Sequence, residues 1–243
     1  MKKTTYWVIG MFIACFIFSL GTIVYYKYYG QEQTTKAEMV TKAIKDYKYI
    51  KVSMNLCRNS DITIEPAKDN AQSQLSYPTN MITMEQRGDT LFLIQKETSK
   101  RKGMYNDINI KLTLGKSSNM LVLNAEGILE ANLKNLNMKV CQIIGDITET
   151  KVENCIIENL VANTGNEVNL LNSKIKLMQA KIDNSTISTA KSSIESIHLT
   201  GQSDYNEALK IDSAHSIKHI ILDPTPGKYI LTMSTFHAEI NYK

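Results

Sequence analysis

The chain has 243 residues, of which 43% are hydrophobic and 21% are charged, with 28 Lys and Arg against 24 Asp and Glu. Such a composition excludes a disordered or collagen-like chain. The chain is thus close to neutral, whereas a dedicated nucleic-acid-binding protein carries a basic stripe. The charge balance therefore argues against nucleic acid as a partner. Four cysteines are too few for a disulfide scaffold of this length.

The first predicted element is a membrane span. Residues 4–26 contain no Asp, Glu, Lys or Arg, and as a helix they would rise about 34 Å, enough to cross a hydrocarbon core of about 30 Å. Aromatic residues flank the run at interfacial positions. Lys2 and Lys3 favour a cytoplasmic N-terminus. The sequence therefore predicts a cytoplasmic tip and transmembrane signal anchor over residues 1–29, with the remainder exported to the periplasmic or extracellular side.

Two other roles for this apolar run remain open. A cleaved signal peptide would use the small residues at 19–21, but apolar residues continue at 23–26. A lipoprotein would use residues 13–15, ending in Cys15, but the apolar run again continues beyond the cysteine. An uncleaved anchor is the favoured interpretation.

The segment after the predicted anchor is polar and rich in Lys and Thr. Within residues 30–48, apolar side chains recur at helical spacing, which predicts a linker or a short cap helix. These apolar residues are Met39, Val40, Ala43, Ile44 and Tyr47.

From residue 49 onward the hydrophobic period changes to two, and an exported domain is predicted over residues 49–243. Alternating segments predict strands at 50–56, 61–65, 81–85, 91–94 and 107–114. Gly88, between Arg87 and Asp89, predicts a hairpin turn. The basic segment 96–102 is interpreted as a solvated connection rather than an anion site.

The later part of the chain repeats with a period near 18. Apolar residues follow one another at spacings of 18, 19, 18 and 19: Met120, Met138, Ile157, Ile175 and Ile194. A polar residue lies three positions before four of these: Asn135, Asn154, Asn172 and Lys191. A second set of markers keeps the same period: Gly127, Gly145, Gly165, Asp183 and Gly201. Residues 217–220 look like one more copy after an insertion.

This period is compatible with a leucine-rich repeat or a β-solenoid. The leucine-rich asparagine pattern is absent, and the richness in Ile, Val, Ser and Thr favours strands that turn a corner at each Gly or Asn. Positions 79–223 contain no proline, which suits continuous strand ladders. The prediction is an all-β domain in which Met138, Ile157, Ile175 and Ile194 form one inward column. Lys174 and Lys176 then point outward, and a last strand over 229–242 covers the end of the stack.

The order of an export segment, alternating strands, a Gly-Asp turn and Asn/Ser-rich repeats resembles the auto-transporter adhesin head-GIN family and the related toast-rack domains. The resemblance is best over residues 50–65, 81–95 and 108–129. It departs from the family at residues 124–127, where related domains often have glycine-rich steps. The resemblance implies a right-handed parallel β-helix (solenoid) and an adhesin-like or envelope role, and it carries over no functional residues.

A search for reactive groups finds no catalytic, cofactor-binding or metal-binding constellation. His215, His219 and His237 lack the helical context of a zinc motif. Cys141 and Cys155 lie in neighbouring repeats and could approach, so a disulfide between them stays open. A small acidic group, which a glycan-active enzyme would need, is predicted to lie solvated on different faces of successive repeats: Asp146, Glu149, Glu153 and Glu158.

The sequence therefore favours a non-enzymatic, membrane-anchored envelope protein whose exported β-helix binds a glycan, a wall component or a protein partner. A glycan-active β-helix enzyme is the first alternative, and a paired carboxylate in one groove would favour it. A regulatory partner in envelope-stress signalling, acting through the anchor, is the second alternative.

Overall fold

The computed structural model describes the chain in segments, which are residues 3–29, 37–54, 59–68, 71–96, 107–164, 167–183, 186–202, 209–211, 217–222, 231–233 and 239–242. In these segments one helix is followed by eighteen strands: α1 Lys3–Tyr29, β1 Met39–Ala43, β2 Tyr49–Ser53, β3 Asn59–Pro66, β4 Gln74–Pro78, β5 Ile82–Arg87, β6 Thr90–Gln95, β7 Asp107–Leu114, β8 Met120–Lys134, β9 Asn137–Glu153, β10 Ile156–Thr164, β11 Glu167–Leu171, β12 Lys174–Asp183, β13 Thr186–Ala190, β14 Ser193–Gln202, β15 Leu209–Ile211, β16 Ile217–Leu222, β17 Leu231–Met233 and β18 Glu239–Tyr242. The predicted β-rich fold is confirmed at this level.

The N-terminal helix α1 covers the predicted anchor. Among the described residues, no helix combines the length and the apolar character needed to cross a membrane. The predicted span over residues 4–26 is therefore not confirmed and stays a prediction. The side chains of residues 4–10, 13 and 26 lie outside the described part of the chain.

The segment between α1 and β2 differs from its prediction. Residues 39–43 form β1, which pairs antiparallel with β4 from Met39↔Pro78 to Ala43↔Gln74. The apolar spacing that predicted a short cap helix instead places Ile44 and Tyr47 in the core, at 8% and 3% exposure. A free strand edge offered by β4 supplies backbone partners that the isolated segment lacks, so tertiary pairing overrides the local helical spacing.

The predicted repeats stack in parallel at the expected offset. Met138 lies opposite Ile157, Ile157 opposite Ile175, and Ile175 opposite Ile194. All four side chains are 3% exposed or less, which confirms the inward column. The extra copy is also confirmed, because Ile194 lies opposite Ile217.

Met120 is an exception to this column. Its partner in the neighbouring strand is Val140 rather than Met138, and its side chain is half-buried. Met120 shares the sequence spacing of the repeats but lies outside the predicted column of Met138, Ile157, Ile175 and Ile194. The apolar spacing of 18 from Met120 to Met138 is fortuitous, since Leu121 and Cys141 are the paired core residues there.

We call each turn of this stack a rung, and each rung contains two strand segments joined at corners. One corner is made by residues in the left-handed region: Asn135 (φ 56°), Asn154 (φ 53°), Asn172 (φ 50°) and Lys191 (φ 51°). Asparagine tolerates this conformation better than most residues. These are the four polar positions that the sequence marked before each apolar residue, so the predicted corners are confirmed there. We call this edge of the stack the Asn corner.

The residue after each left-handed position forms a hydrogen bond with the neighbouring rung. The backbone N–H of Cys155 donates to Ser173 Oγ at 3.1 Å, and that of Ser173 donates to Ser192 Oγ at 3.1 Å. Each hydroxyl also donates back across its own corner, Ser173 to the Leu171 carbonyl at 3.0 Å and Ser192 to that of Ala190 at 3.1 Å. These buried polar groups are thus satisfied by one another, as a buried polar ladder requires.

The opposite corner uses glycine where backbones approach most closely. Gly127 has φ 70°, and a Cβ there would lie 1.9 Å from the Met54 carbonyl oxygen. Gly145 has φ 121°, and a Cβ there would lie 2.0 Å from the Ala125 carbonyl oxygen. Gly165 lies outside the described residues. Only glycine fits these two turns, because any side chain would collide with the rung beneath.

The first rungs do not stack in chain order. The rung of β2 and β3 lies between the rung of β6 and β7 on one side and the β8 rung on the other. The N-terminal strands are therefore inserted into the stack, and β1, β4 and β5 pair antiparallel at its edge. The predicted hairpin is confirmed, since Arg87 faces Thr90 with Gly88 at φ 59°.

The C-terminal end also differs from its prediction. The segment 229–242 was expected to form one strand that covers the end of the stack. Instead, β17 pairs parallel with β15, and β18 pairs parallel with β16. These short strands continue the stack as another rung, because Ile220 and Ile240 keep the same apolar register.

We predict that Ile175→Asp severely lowers the thermal midpoint of the domain. Ile175 is 3% exposed, and burying even a neutral polar group without a partner costs about 2–7 kcal/mol. The whole stability of such a domain is about 5–15 kcal/mol.

The matched control is Lys174→Asp, one residue away, which is exposed and faces Ile156 and Ser193 rather than an acidic residue. It should change stability by less than about 0.5 kcal/mol. Equal midpoints of the two variants, measured by circular dichroism, would show that the inward register is wrong.

Candidate functional site

The described residues form a concave groove beside the inserted N-terminal strands. Three adjoining hollows of about 880, 380 and 620 Å³ form it. Ala71 lines the first and second hollows, Ala67 the second and third, and Gly115 the first and third. We call this surface the corner groove, since its third hollow reaches Asn135 at the Asn corner. The described residues that line it are 41, 43–46, 65–68, 71–74, 76, 111, 113–118 and 135–138, with Gln86 at one side.

Asp46 ties together the chain segments that form the first hollow. Its carboxylate accepts hydrogen bonds from the hydroxyls of Ser117 and Ser73. These hydrogen bonds, that from Ser117 first and that from Ser73 second, hold the pKa of Asp46 below its ordinary value, against a smaller opposing effect of burial. One exposed carboxylate thereby connects the loop before β2, the residue that precedes β4 and the loop after β7.

Gly115 makes this arrangement possible. Its backbone N–H donates to Ser73 Oγ at 2.7 Å, and Ser73 is only 1% exposed. A Cβ on Gly115 would lie 3.0 Å from Asp46 Oδ1 and 3.4 Å from Ser73 Oγ. A side chain at position 115 would therefore press on the carboxylate that the two serines hold.

The charged groups that line the corner groove are four lysines and two carboxylates among the described residues: Lys45, Lys68, Lys111, Lys116, Asp46 and Glu65. Lys111 pairs with Glu65 at 2.7 Å. Lys45 donates to the Gly88 carbonyl at 2.6 Å and lies 5.0 Å above the Tyr47 ring. The side chains of Lys68 and Lys116 are exposed.

The sequence did not identify this groove. Asp46 and Gly115 carried no pattern, and the basic segment singled out at 96–102 has only its first residue, Lys96, within the described residues. Asp46 and Ser117 are 71 positions apart in the chain. The insertion of the β2–β3 rung brings them together, and no local spacing signals that insertion.

The outer face of the second strand segments carries a separate charged network. Lys151 lies 2.7 Å from Glu130 and 3.3 Å from Glu149, and Asn169 donates to Glu149 at 2.8 Å. The hydrogen bond from Lys151 lowers the pKa of Glu130, and the same bond raises the pKa of Lys151. The three charged groups and Asn169 already have partners within the sheet, so we interpret the network as a contribution to strand pairing.

The four acidic residues singled out in the sequence lie where they were predicted only in part. Asp146 and Glu158 are exposed, as predicted. Glu149 and Glu153 share one strand and one face, contrary to the prediction, because an even spacing returns side chains to the same side of a strand. Glu153 lies 3.4 Å from Lys134, and Glu149 lies 3.3 Å from Lys151, which it shares with Glu130.

The other candidate residues stay apart or fall outside the described residues. His219 lies exposed in β16, whereas His215 and His237 lie outside the described part. No group of three or more His, Cys, Asp or Glu side chains in the described segments could hold a metal ion. Cys141 and Cys155 are buried free thiols and do not form the disulfide that the sequence left open. Burial raises the pKa of Cys155 to about 11, so its thiol stays protonated at neutral pH.

No protein-family model and no curated protein matches the chain. Among solved structures, a "putative adhesin" from Parabacteroides distasonis is 11% identical, covering 87% of this chain and 96% of that one, with a TM-score of 0.40. A "putative lipid binding protein" from the same species is 15% identical, covering 85% and 92%, with a TM-score of 0.39. A "putative adhesin" from Bacteroides fragilis is 14% identical, covering 86% and 94%, with a TM-score of 0.39. Similarities this weak do not establish a family or a function for this chain. Membership of the head-GIN family therefore stays a prediction.

We predict that Asp46→Asn lowers the melting midpoint at pH 7 and that this difference narrows on acidification. Because the folded-state pKa of Asp46 is lowered, its stabilising effect is present above the unfolded value of about 3.9 and is lost as pH falls through the folded value. The measurement is a series of thermal melts between about pH 3 and pH 7.

The control is Asp146→Asn, which removes an exposed carboxylate outside the corner groove. It should leave the midpoint nearly unchanged. A difference between Asp46→Asn and the unmodified chain that is the same at every pH would contradict the proposed role of the Asp46 charge.

Proposed function

We propose that this protein is a membrane-anchored, non-enzymatic envelope protein whose exported β-solenoid binds a glycan, a wall component or a protein partner. The corner groove carries the proposal, because it is a large concave surface lined by hydroxyl groups and lysines. A surface of this kind offers many hydrogen-bond donors and acceptors, as a polyhydroxylated or charged ligand requires.

The state of the groove carboxylates supports binding over catalysis. A glycan-active enzyme needs one carboxyl group as an acid and a second as a base or nucleophile. Asp46 is held in its charged form by serine hydroxyls, and Glu65 is paired with Lys111. Proton transfer to a glycosidic oxygen needs a protonated carboxyl group, whereas the pKa of Asp46 is lowered and Glu65 is engaged in an ion pair.

The solenoid part of the proposal is supported by the strand register. From Met138 to Ile217 the parallel rungs repeat the same core position, with a left-handed corner before most of them. We infer that these rungs wind in the right-handed sense usual for parallel crossovers.

The anchor is supported by the composition and surface of α1. Its 27 residues include large apolar side chains that are exposed, among them Phe12 at 74%, Phe16 at 66% and Phe18 at 76%. Such side chains need an apolar environment, and a lipid bilayer supplies one. Lys2 and Lys3 orient the helix with its N-terminus in the cytoplasm.

To test the topology, protease is added to intact spheroplasts that contain the full chain. We expect the part beyond residue 29 to be degraded, because it lies outside the membrane. Lysed spheroplasts serve as the control for protease sensitivity. Protection of the domain in intact cells, with degradation only after lysis, would reverse the proposed orientation.

To test the binding role, the full chain in detergent is titrated against purified cell-wall polysaccharides and tested for their breakdown. We expect binding without turnover. Ala71→Trp should lower the affinity at least tenfold, because residue 71 is exposed where two hollows of the groove meet.

The matched control is Gln179→Trp, an exposed position in β12 away from the groove. It should change the affinity less than twofold. If neither substitution changes the affinity, the ligand binds outside the corner groove. Turnover of a polysaccharide would favour the enzyme alternative.

A further inference from the structure

We propose that the corner groove binds an anionic glycan, a polysaccharide whose repeating units bear carboxylate or phosphate groups. The inference rests on the proposed function and specifies its ligand class. Three independent features of the groove point to it: the charge left after internal pairing, the arrangement of the lysines, and the side chains that are absent from the lining.

The groove keeps a positive balance, since four lysines and only two carboxylates line it among the described residues. The Asp46 carboxylate is held by two serine hydroxyls, and Glu65 is matched by Lys111 at 2.7 Å. Lys45 is directed toward the Gly88 carbonyl and lies 3.9 Å from Asp89, an exposed partner. The side chains of Lys68 and Lys116 are exposed, so their ammonium groups are accessible to a ligand.

The two available lysines lie along the groove rather than at one point. Lys68 lines the second hollow, and Lys116 lines the first and the third. A monovalent small anion would use one of these hollows. A polymer with a charge on every repeating unit can engage both lysines at once, and linked contacts raise the affinity well above that of either alone.

The lining lacks the groups that other ligand classes use. Phe, Trp and Tyr are absent from the described residues that line the three hollows. Single-stranded nucleic acids are bound by stacking of their bases on aromatic rings. Recognition here therefore depends on charge and on hydroxyls such as those of Thr41, Ser76 and Thr113, which can hydrogen-bond to sugar hydroxyls.

The electrostatic contribution should be moderate, since both lysines are exposed and the chain as a whole carries a formal charge of only +4. Exposed charges are screened over about 8 Å at physiological salt. The expected signature is thus an affinity that falls as salt is added and depends on these two lysines specifically.

The test uses the full chain in detergent and three probes: polygalacturonate, which carries carboxylates, poly(glycerol phosphate), and uncharged dextran. Affinities are measured by isothermal titration calorimetry at 50 and 200 mM salt. We expect at least one of the anionic probes to bind, dextran to bind at least tenfold more weakly, and binding to weaken at the higher salt concentration. A comparison of the affinities of the two anionic probes shows whether the groove prefers carboxylate or phosphate groups.

The decisive variant is the double substitution Lys68→Gln and Lys116→Gln, which we expect to lower the affinity at least tenfold and to reduce the salt dependence. Its control is Lys176→Gln with Lys218→Gln, which removes the same charge from exposed positions on later rungs. The control should stay within twofold of the unmodified chain. Circular dichroism melts confirm that both double variants are folded.

Each other outcome has a separate meaning. Equal losses in the two double variants would show attraction to the net charge alone and would overturn the assignment of the groove. Tight, salt-independent binding of dextran that Ala71→Trp abolishes would overturn the anionic ligand and leave the binding function intact. Failure of all three probes and of every wall polysaccharide would overturn both. Single-stranded DNA binding as tightly as the anionic glycans would show that sugar recognition plays no part.

Discussion

Each rung must change direction within a few residues, at a corner where an exposed left-handed residue is followed by a buried one, and the rest of the stack depends on how the polar groups of that turn are satisfied. The turn needs a left-handed residue, which costs a non-glycine side chain about 1–2 kcal/mol. It also exposes backbone N–H and carbonyl groups in a dry interior. Ser173 and Ser192 solve the second problem, because each hydroxyl accepts from one rung and donates to its own corner. Cys155 occupies the same position one rung earlier and uses its thiol in the same way.

Corners at constant intervals also set which side chains face each other along the stack. The offsets of 18 or 19 residues that align Ile157 with Ile175 and Ile194 also align the exposed residue after each of them. That exposed position alternates in charge along the stack: Lys139, Glu158, Lys176, Glu195 and Lys218. Opposite charges on adjacent strands favour this register, whereas a slip by one rung would place like charges together.

The corner groove depends on a departure from this regularity. The β2–β3 rung lies between two rungs that follow it in the chain, so the segment around Asp46 must cross the edge of the stack to enter it. Asp46 then meets Ser73 and Ser117 from two other segments. The regular rungs supply a rigid support, and the irregular crossing supplies the concave surface and its lysines. The groove that we propose for binding and the regular rungs that build the stack therefore lie in different parts of the chain.

The sequence by itself determined the repeating part of the fold. Its apolar column, its left-handed corners at Asn135, Asn154 and Asn172, and the hairpin at Gly88 each rest on a local rule of spacing or backbone conformation. Tertiary structure alone decided the order of the first rungs, the strand at 39–43 and the contact between Asp46 and Ser117. Strand pairing between distant segments leaves no periodic signal, because any exposed edge can accept any strand of suitable pattern. The groove is built from those pairings, so only the folded chain shows which lysines line it.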